Sequence, residues 1–339
     1  MRDHTSARAS GPPGLGPATG DPDLIARVEP LLRVGGLTDR VSVVHIQNRD
    51  TAWAHFGAGS DTLYEIGSVT KTMTSLLFSH AVESGELSAD TTLGSLLDVH
   101  SSHVAGVTLE ELASHRSGLP RISRRRGDLA RVSFAVLRNR NPYTADVRTL
   151  LAQADAATIV DGGSFSYSNL GTALLGQALA AHAGVGYPEL LNRHLFSRLG
   201  MTSSVAPLSA HDLPPDAPTG WNARGKSEQA WPMNAYAPAG GVRSTPEDMA
   251  LYARAVLEGR APGLGALEPR WDAGNGSRVG YAWLTDRIGD AHISWHNGAT
   301  GGFSSMIALD RRRAVAVVIL ANSVAALDEI AVRVLVEAN

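Results

Sequence analysis

The chain has 339 residues, 43% hydrophobic and 19% charged, an ordinary make-up for a globular protein and longer than one simple core usually supports. Thirty Lys and Arg against 33 Asp and Glu leave a net charge of -3, so no overall basic field recruits nucleic acid or an anionic membrane. The absence of Cys excludes disulfide scaffolds, thiolate zinc sites and cysteine nucleophiles.

Residues 1–20 are rich in Gly, Pro, Ala, Ser and Thr and lack the apolar run of about 7–15 residues that a secretory signal requires, so they read as a disordered tail. No stretch approaches the roughly 20 apolar residues of a membrane span, and the expected location is cytoplasmic. Asp21 is placed to cap a helix over 21–32, with Pro22 in its first turn. The β-branched run Val41–Ile46, the turn Asn48-Arg49-Asp50 and the run Thr51–Phe56 predict a β-hairpin. Thr70–Glu83 is apolar with helical spacing and predicts a buried helix.

From about Leu87 to Trp231 short helical segments (108–114, 145–154, 170–183, 187–199) alternate with Gly- and Pro-containing loops, and strand signals are scarce. The run Arg124-Arg125-Arg126 in this region reads as a solvated loop. After it come a helix over 246–258 capped by Thr245, strand-like runs at 291–295, 303–309 and 314–320, and a closing helix over 324–336. The expected fold is therefore α/β: one antiparallel sheet completed by both ends of the chain, flanked by N- and C-terminal helices, with a large helical insert. The expected division is 21–87 with 240–339 as the α/β lobe and 88–239 as the helical lobe.

Three polar islands interrupt this pattern. Ser68 and Lys71 stand three residues apart at the head of the buried helix, hence on one face. A serine hydroxyl needs a base, and a buried lysine can supply one where arginine cannot. The chain uses Lys at only two positions, 71 and 226, against 28 arginines, so Lys71 is a departure from its habit. The pair reads equally, when taken alone, as a surface lysine beside an N-cap serine. The second island, Tyr167-Ser168-Asn169, offers a phenol to relay a proton and an amide to orient a carbonyl or the lysine ammonium, or simply a packing Tyr and an Asn helix cap. The third, Trp295-His296-Asn297-Gly298-Ala299-Thr300-Gly301-Gly302, offers backbone N–H groups close to a ligand, or a tight turn between strands.

In order and spacing the islands resemble the three motifs of the class C β-lactamase and penicillin-binding-protein superfamily. Ser68–Lys71 matches SxxK, Tyr167–Asn169 matches YxN, and His296–Gly298 stands in the place of KTG. The stretches Leu112-Ala113-Ser114-His115-Arg116-Ser117-Gly118-Leu119-Pro120 and Ala239-Gly240-Gly241-Val242-Arg243-Ser244 also resemble the family, and the likeness runs from about Asp23 to the C-terminus. The resemblance implies the serine β-lactamase/DD-peptidase fold and a mechanism. Ser68 attacks an acyl carbon, Lys71 and Tyr167 manage the proton, Asn169 orients the substrate, and the N–H groups of Ser68 and Ala299 hold the oxyanion, without metal or organic cofactor. His-Asn-Gly in place of Lys-Thr-Gly resembles the superfamily's esterase-like members and points away from β-lactams and D-Ala-D-Ala peptides, toward a small cytoplasmic ester or amide.

GxSxG is absent, so an α/β-hydrolase is not expected. His292 and His296 share a strand face but lack the third ligand of a metal site. Gly14, Gly16 and Gly20 evoke a nucleotide loop, but no strand precedes them and Pro17 interrupts them. Two other functions fit the motifs: an acyltransferase passing the acyl group to an amine or alcohol, and a non-catalytic binding protein retaining the fold. Residues 121–143 and 206–237 carry no decodable motif; their aromatics Trp221 and Trp231, with Tyr236, line an acyl pocket or pack as loop residues. Oligomeric state is not legible, and the expected partner is the small-molecule substrate alone, without nucleic acid or membrane.

Overall fold

The computed structural model describes residues 13–215 and 217–336. Nine strands form one antiparallel sheet: β1 (Ala18–Gly20), β2 (Val41–Gln47), β3 (Asp50–Phe56), β4 (Trp271–Gly274), β5 (Ser277–Val279), β6 (Leu284–Ile288), β7 (Ala291–Ala299), β8 (Ser304–Asp310) and β9 (Val315–Ala321). Their order across the sheet is β1-β3-β2-β9-β8-β7-β6-β5-β4, so the N- and C-terminal parts of the chain meet at the β2–β9 pair. The strand β9 is apolar throughout because both of its faces are covered. Its alternate residues divide between two cores. Val315, Val317 and Ile319 pack with the helices α1 (Pro22–Val34) and α6 (Asp328–Val336), whose stripes Leu24–Val28–Leu32 and Ile330–Val334 face the sheet. Ala316, Val318 and Leu320 face the larger core with α2 (Thr70–Glu83), α4 (Asn169–Ala183) and α5 (Pro246–Leu257).

Between Glu83 and the segment at Ala237, helices dominate, and the only strands described there are the two-residue pair Gly220–Trp221 and Ser227–Glu228. The caps follow the sequence: the Asp21 carboxylate accepts the Leu24 N–H at 2.9 Å, and Thr245 accepts that of Asp248 at 3.2 Å. Eleven of the fourteen residues of α2 are buried, although seven of its residues are hydroxylic, Lys or His. Its hydroxyls are paired inside the core. Thr72 donates to the Val69 carbonyl at 2.6 Å, and Thr74 donates to the Pro238 carbonyl at 2.8 Å and lies 2.6 Å from the Tyr187 hydroxyl.

Three expectations are corrected. Residues 1–12 of the expected disordered tail lie outside the described residues, but Ala18–Gly20 pairs with β3 as an edge strand, and the Gly16 N–H donates to Asp39 at 3.0 Å. This pairing is made by backbone, so the tail's lack of apolar side chains gives no sign of it. Gly20 (φ 119°) passes so close to Trp53 that a Cβ would stand 2.1 Å from its carbonyl oxygen. Second, β4–β6 extend the sheet over a stretch in which the sequence predicts no element. They are mostly half-exposed and polar, and their one sequence signal was the hairpin turn Asn275-Gly276, both at positive φ. Third, Arg124-Arg125-Arg126 does not end in a loop: Arg126 opens a helix, α3 (Arg126–Leu137).

Candidate active site

The chain enters the site along Tyr64-Glu65, which pairs with Arg243-Ser244, and then makes a single 3₁₀ turn, Gly67–Val69, that runs directly into α2. Gly67 has φ 47°, and a Cβ on it would stand 2.7 Å from the Ala299 nitrogen. A Cβ on Gly298 would stand 2.2 Å from the Ile66 carbonyl oxygen and 3.0 Å from the Ser68 nitrogen. The two glycines thus let the turn that carries Ser68 lie against the end of β7, which no side chain at either position permits. The Ser305 hydroxyl fixes this contact by donating to the Ile66 carbonyl at 2.6 Å. Gly298→Ala should push the turn and the strand apart and lower kcat/KM for p-nitrophenyl acetate about 100-fold with the thermal midpoint largely kept, because misplacement near 1 Å costs about that much. An unchanged kcat/KM would show that the close approach does not matter to the reaction.

One helical turn after Ser68, Lys71 is fully buried and its Nζ lies 3.0 Å from Ser68 Oγ. Nζ also donates to the Ala239 carbonyl. It has no carboxylate partner among the described residues. Burial is the main force holding the ammonium well below the ordinary lysine pKa, and the positive charge of Arg121 adds to it. Tyr167 lies with its ring centroid 4.9 Å from Nζ. Burial raises its phenol well above the usual value, against a hydrogen bond with Ser68 and the charge of Arg121, which both act to lower it. The phenol is therefore neutral at ordinary pH, and Lys71 is the group whose basic form is favoured.

Ser168, not Asn169, caps α4, its hydroxyl accepting the Gly171 N–H at 2.9 Å. This corrects the alternative reading of Asn169 as the cap and leaves its amide free for other work. Asn169 Nδ2 donates to the Tyr143 hydroxyl at 2.9 Å, and its Oδ1 is buried without a partner. His296 is 1% exposed and lines the cleft over Ser68. Its Nδ1 is 2.6 Å from the Asn297 carbonyl, which can only accept, so Nδ1 carries the hydrogen and the unpartnered Nε2 is an acceptor. Burial, reinforced by Lys71, lowers its pKa to about 3, so it is neutral at any ordinary pH.

The structure thus brings Ser68, Lys71, Tyr167, His296, Gly298 and Ala299 together, while the contact described for Asn169 is with Tyr143. Ser68, Tyr167, His296, Gly298 and Ala299 line an open cleft of about 580 Å³, whose far wall is the segment before α6, pinned by the 2.8 Å bond from Asn297 to Asp328. Of the three aromatics in question, Trp231 lines a neighbouring cavity of about 330 Å³ with Thr300 and Gly301. Trp221 instead donates to Asp39 at 2.7 Å, and Tyr236 donates to Gln153 at 2.8 Å within the core.

Three residues without a role in the sequence reading also reach the site. His115 packs its ring 4.5 Å from that of Tyr167, and its Nδ1 accepts the Ser168 N–H at 3.2 Å. Its stretch resembles the family, but only the fold reveals a ring contact across fifty residues. Arg121 holds its guanidinium 5.2 Å from the Tyr167 ring centroid, and Tyr143 meets Asn169; both fall in the segment that carries no motif.

The fold agrees with comparisons to known proteins. The family described as Beta-lactamase matches residues 35–338. The human protein "Putative beta-lactamase-like 1" is 30% identical over 247 residues, 65% of this chain and 46% of its own length. "Unguisins hydrolase ungD'" of Aspergillus campestris is 27% identical over 303 residues, 78% of this chain and 53% of its own. The chain spans about half the length of these relatives. A solved class C beta-lactamase superposes with TM-score 0.79 at 20% identity, covering 93% of this chain and 95% of its own. The D-alanine carboxypeptidase AmpC of Burkholderia cenocepacia does so with TM-score 0.76 at 22% identity, covering 92% and 97%. At such identities the superpositions speak for the fold alone. With its fold shared and nine-tenths of its length matched, the chain belongs to the beta-lactamase family of serine hydrolases.

Proposed function

We propose that the protein is a serine esterase or amidase that forms an acyl-enzyme on Ser68, acting on a small acyl substrate. The observation that carries this reading is the 3.0 Å approach of Lys71 Nζ to Ser68 Oγ, with the amine buried and unpaired by any carboxylate. In its neutral form Lys71 takes the Ser68 proton as Oγ bonds to the acyl carbon. The negative charge formed on the carbonyl oxygen is held by the backbone N–H groups of Ser68 and Ala299, which the two glycines bring together. The proton then passes through Tyr167 to the departing alkoxide or amine. Water attacks the acyl carbon in the second half, and its proton returns to Ser68 by the same groups.

The neutral His296 supports the ester reading over one for β-lactams or D-Ala-D-Ala peptides. A buried imidazole without charge offers an acceptor rather than a cation at the third-motif position, which leaves Arg121 as a cation in the lining of the cleft. A cytoplasmic location remains part of this proposal. Among the described residues no helix is long and apolar enough to cross a membrane.

A fluorophosphonate probe should add one adduct to the wild-type chain and none to Ser68→Ala, as read from intact mass. Short p-nitrophenyl esters should turn over on the wild type only. An adduct on both proteins, or ester turnover by Ser68→Ala, would remove Ser68 from the reaction. An adduct accompanied by slow hydrolysis, with product diverted to an added amine or alcohol, would make the protein an acyltransferase instead. No adduct and no turnover would favour a binding protein that keeps the fold.

A further inference from the structure

The helix α3 is built unlike the others. Of its twelve residues only Ala135 is buried. Leu129, Phe134, Val136 and Leu137 are 41%, 54%, 56% and 76% exposed, four of the eleven strongly exposed large apolar side chains among the described residues. At 100° per residue, Leu129, Ser133 and Leu137 lie on the side opposite Ala135, with Val136 and Phe134 on either flank. Leu129 and Phe134 thus lie on the exposed side of the helix, while Val136 and Leu137, also exposed, line a surface cavity with Trp231.

Its charge is equally uneven. Residues 121–140 hold seven arginines and a single acid, Asp128, in a chain whose net charge is -3. Asp128 is engaged by Arg131 at 3.1 Å and by the Ser123 hydroxyl at 2.6 Å. Arg124, Arg125 and Arg126 are exposed at the start of the helix, and Arg138 and Arg140 at its end, with no ion pair described for any of the five. Arg138 lies over the Phe134 ring at 4.8 Å.

We infer that α3 is a docking surface for an anionic lipid bilayer, with Leu129, Phe134 and Leu137 entering the interface and the arginines engaging lipid headgroups. The overall charge of -3, from which no membrane partner is expected, averages away this local field. A second copy joined through the same face would set seven arginines against seven. The twelve residues preceding the described chain carry Arg2 and Arg8 against Asp3, and so do not complement the surface. An anionic partner remains. Leu129 and Phe134 project singly from the helix, and a fluid bilayer accepts such separate side chains where a folded protein needs a continuous surface. Docking also orients the site. Val136, Leu137 and Arg140 line the cavity beside Trp231 and Thr300, which shares Val324 with the Ser68 cleft, so that cavity would open toward the lipid.

The full chain should be sedimented with vesicles of phosphatidylcholine alone and with 30% phosphatidylglycerol. Wild type should bind the anionic vesicles at least tenfold more strongly and release them in 0.5 M NaCl. Replacing Arg124, Arg125 and Arg126 together by Gln should weaken binding about 100-fold, at about fivefold per arginine. Leu129→Ser with Phe134→Ser should weaken it at least tenfold, with the far-ultraviolet spectrum and thermal midpoint kept. No binding to anionic vesicles at low salt, or binding undiminished in both variants, would overturn the inference. So would a wild-type dimer that the Leu129/Phe134 variant dissociates, since the face would then join two copies. Retention on polyglutamate as strong as on vesicles, insensitive to the apolar substitutions, would assign the surface to an acidic protein instead.

Discussion

Lys71→Arg should lower kcat/KM for a p-nitrophenyl ester about 1000-fold, within the range by which a positioned base accelerates proton transfer. The substitution keeps a cation one turn from Ser68 but removes the possibility of losing a proton, so it separates charge from basicity. Ser68→Ala combined with Lys71→Arg should be no worse than the poorer single variant, because the two groups act as a unit. The pH profile provides a second reading. In the proposed mechanism Lys71 works in its neutral form, so kcat/KM should rise with pH through its pKa, which burial and Arg121 hold well below the ordinary 10.5. The acid limb of the wild-type profile should therefore lie well below that of a free amine. Arg121→Gln removes a neighbouring positive charge, lets the Lys71 pKa rise, and should move the limb to higher pH. A Lys71→Arg protein with intact thermal midpoint and more than a tenth of wild-type activity would mean that another group takes the serine proton. A limb unmoved by Arg121→Gln would mean that the limb belongs to a different group.

What the sequence disclosed, and what it hid, follows from how each element makes its contacts. The hairpin at β2–β3 and the helix α2 were legible because each carries its own period and its own boundary residues. The SxxK pair was legible because three residues on a helix fix a geometry, and because lysine is so rare in this chain. The meeting of the three islands rested on family likeness, and its physical basis appears only in the folded chain. It lies in the two-residue ladder at Glu65–Arg243 and in the glycine contact between residues 67 and 299. The helix α3 was not legible as a core helix because its apolar residues face outward, so no stripe points to a partner element. The strands β4 and β6 escaped for a similar reason: half-exposed positions tolerate Asp, Arg and Thr, and the alternation that marks a buried strand is missing. His115 and Tyr143 act through contacts with residues far along the chain, and local pattern holds no record of such contacts.

The ladder at Glu65–Arg243 is also where stability should be most sensitive. Both side chains are buried, 3% and 2% exposed, with Arg243 Nη2 2.5 Å from Glu65 Oε1. The same carboxylate oxygen accepts the Trp231 N–H at 2.7 Å, so Glu65 ties three segments together: its own strand, the stretch bearing Arg243, and the loop bearing Trp231. Glu65→Ala leaves the guanidinium buried without its counter-charge, while Nε and Nη1 of Arg243 already lack partners. The expected cost is about 3–5 kcal/mol. For a chain of this length that corresponds to a fall of about 4–7 °C in Tm. Replacing both residues by Met should cost clearly less than Glu65→Ala, because no orphaned charge is then left inside. Activity should separate from stability in this pair of variants. The pair holds the segment whose Ala239 carbonyl accepts from Lys71, and the Ile66 N–H donates to Val242 at 3.1 Å within the same contact. The double Met variant should therefore recover Tm but not the full kcat/KM, since apolar packing replaces the charge without restoring the bond to Trp231. Equal Tm losses in Glu65→Ala and the double variant would show that the ladder is held by its backbone and packing. Full activity in the double variant would show that the Ser68 turn keeps its place without Glu65.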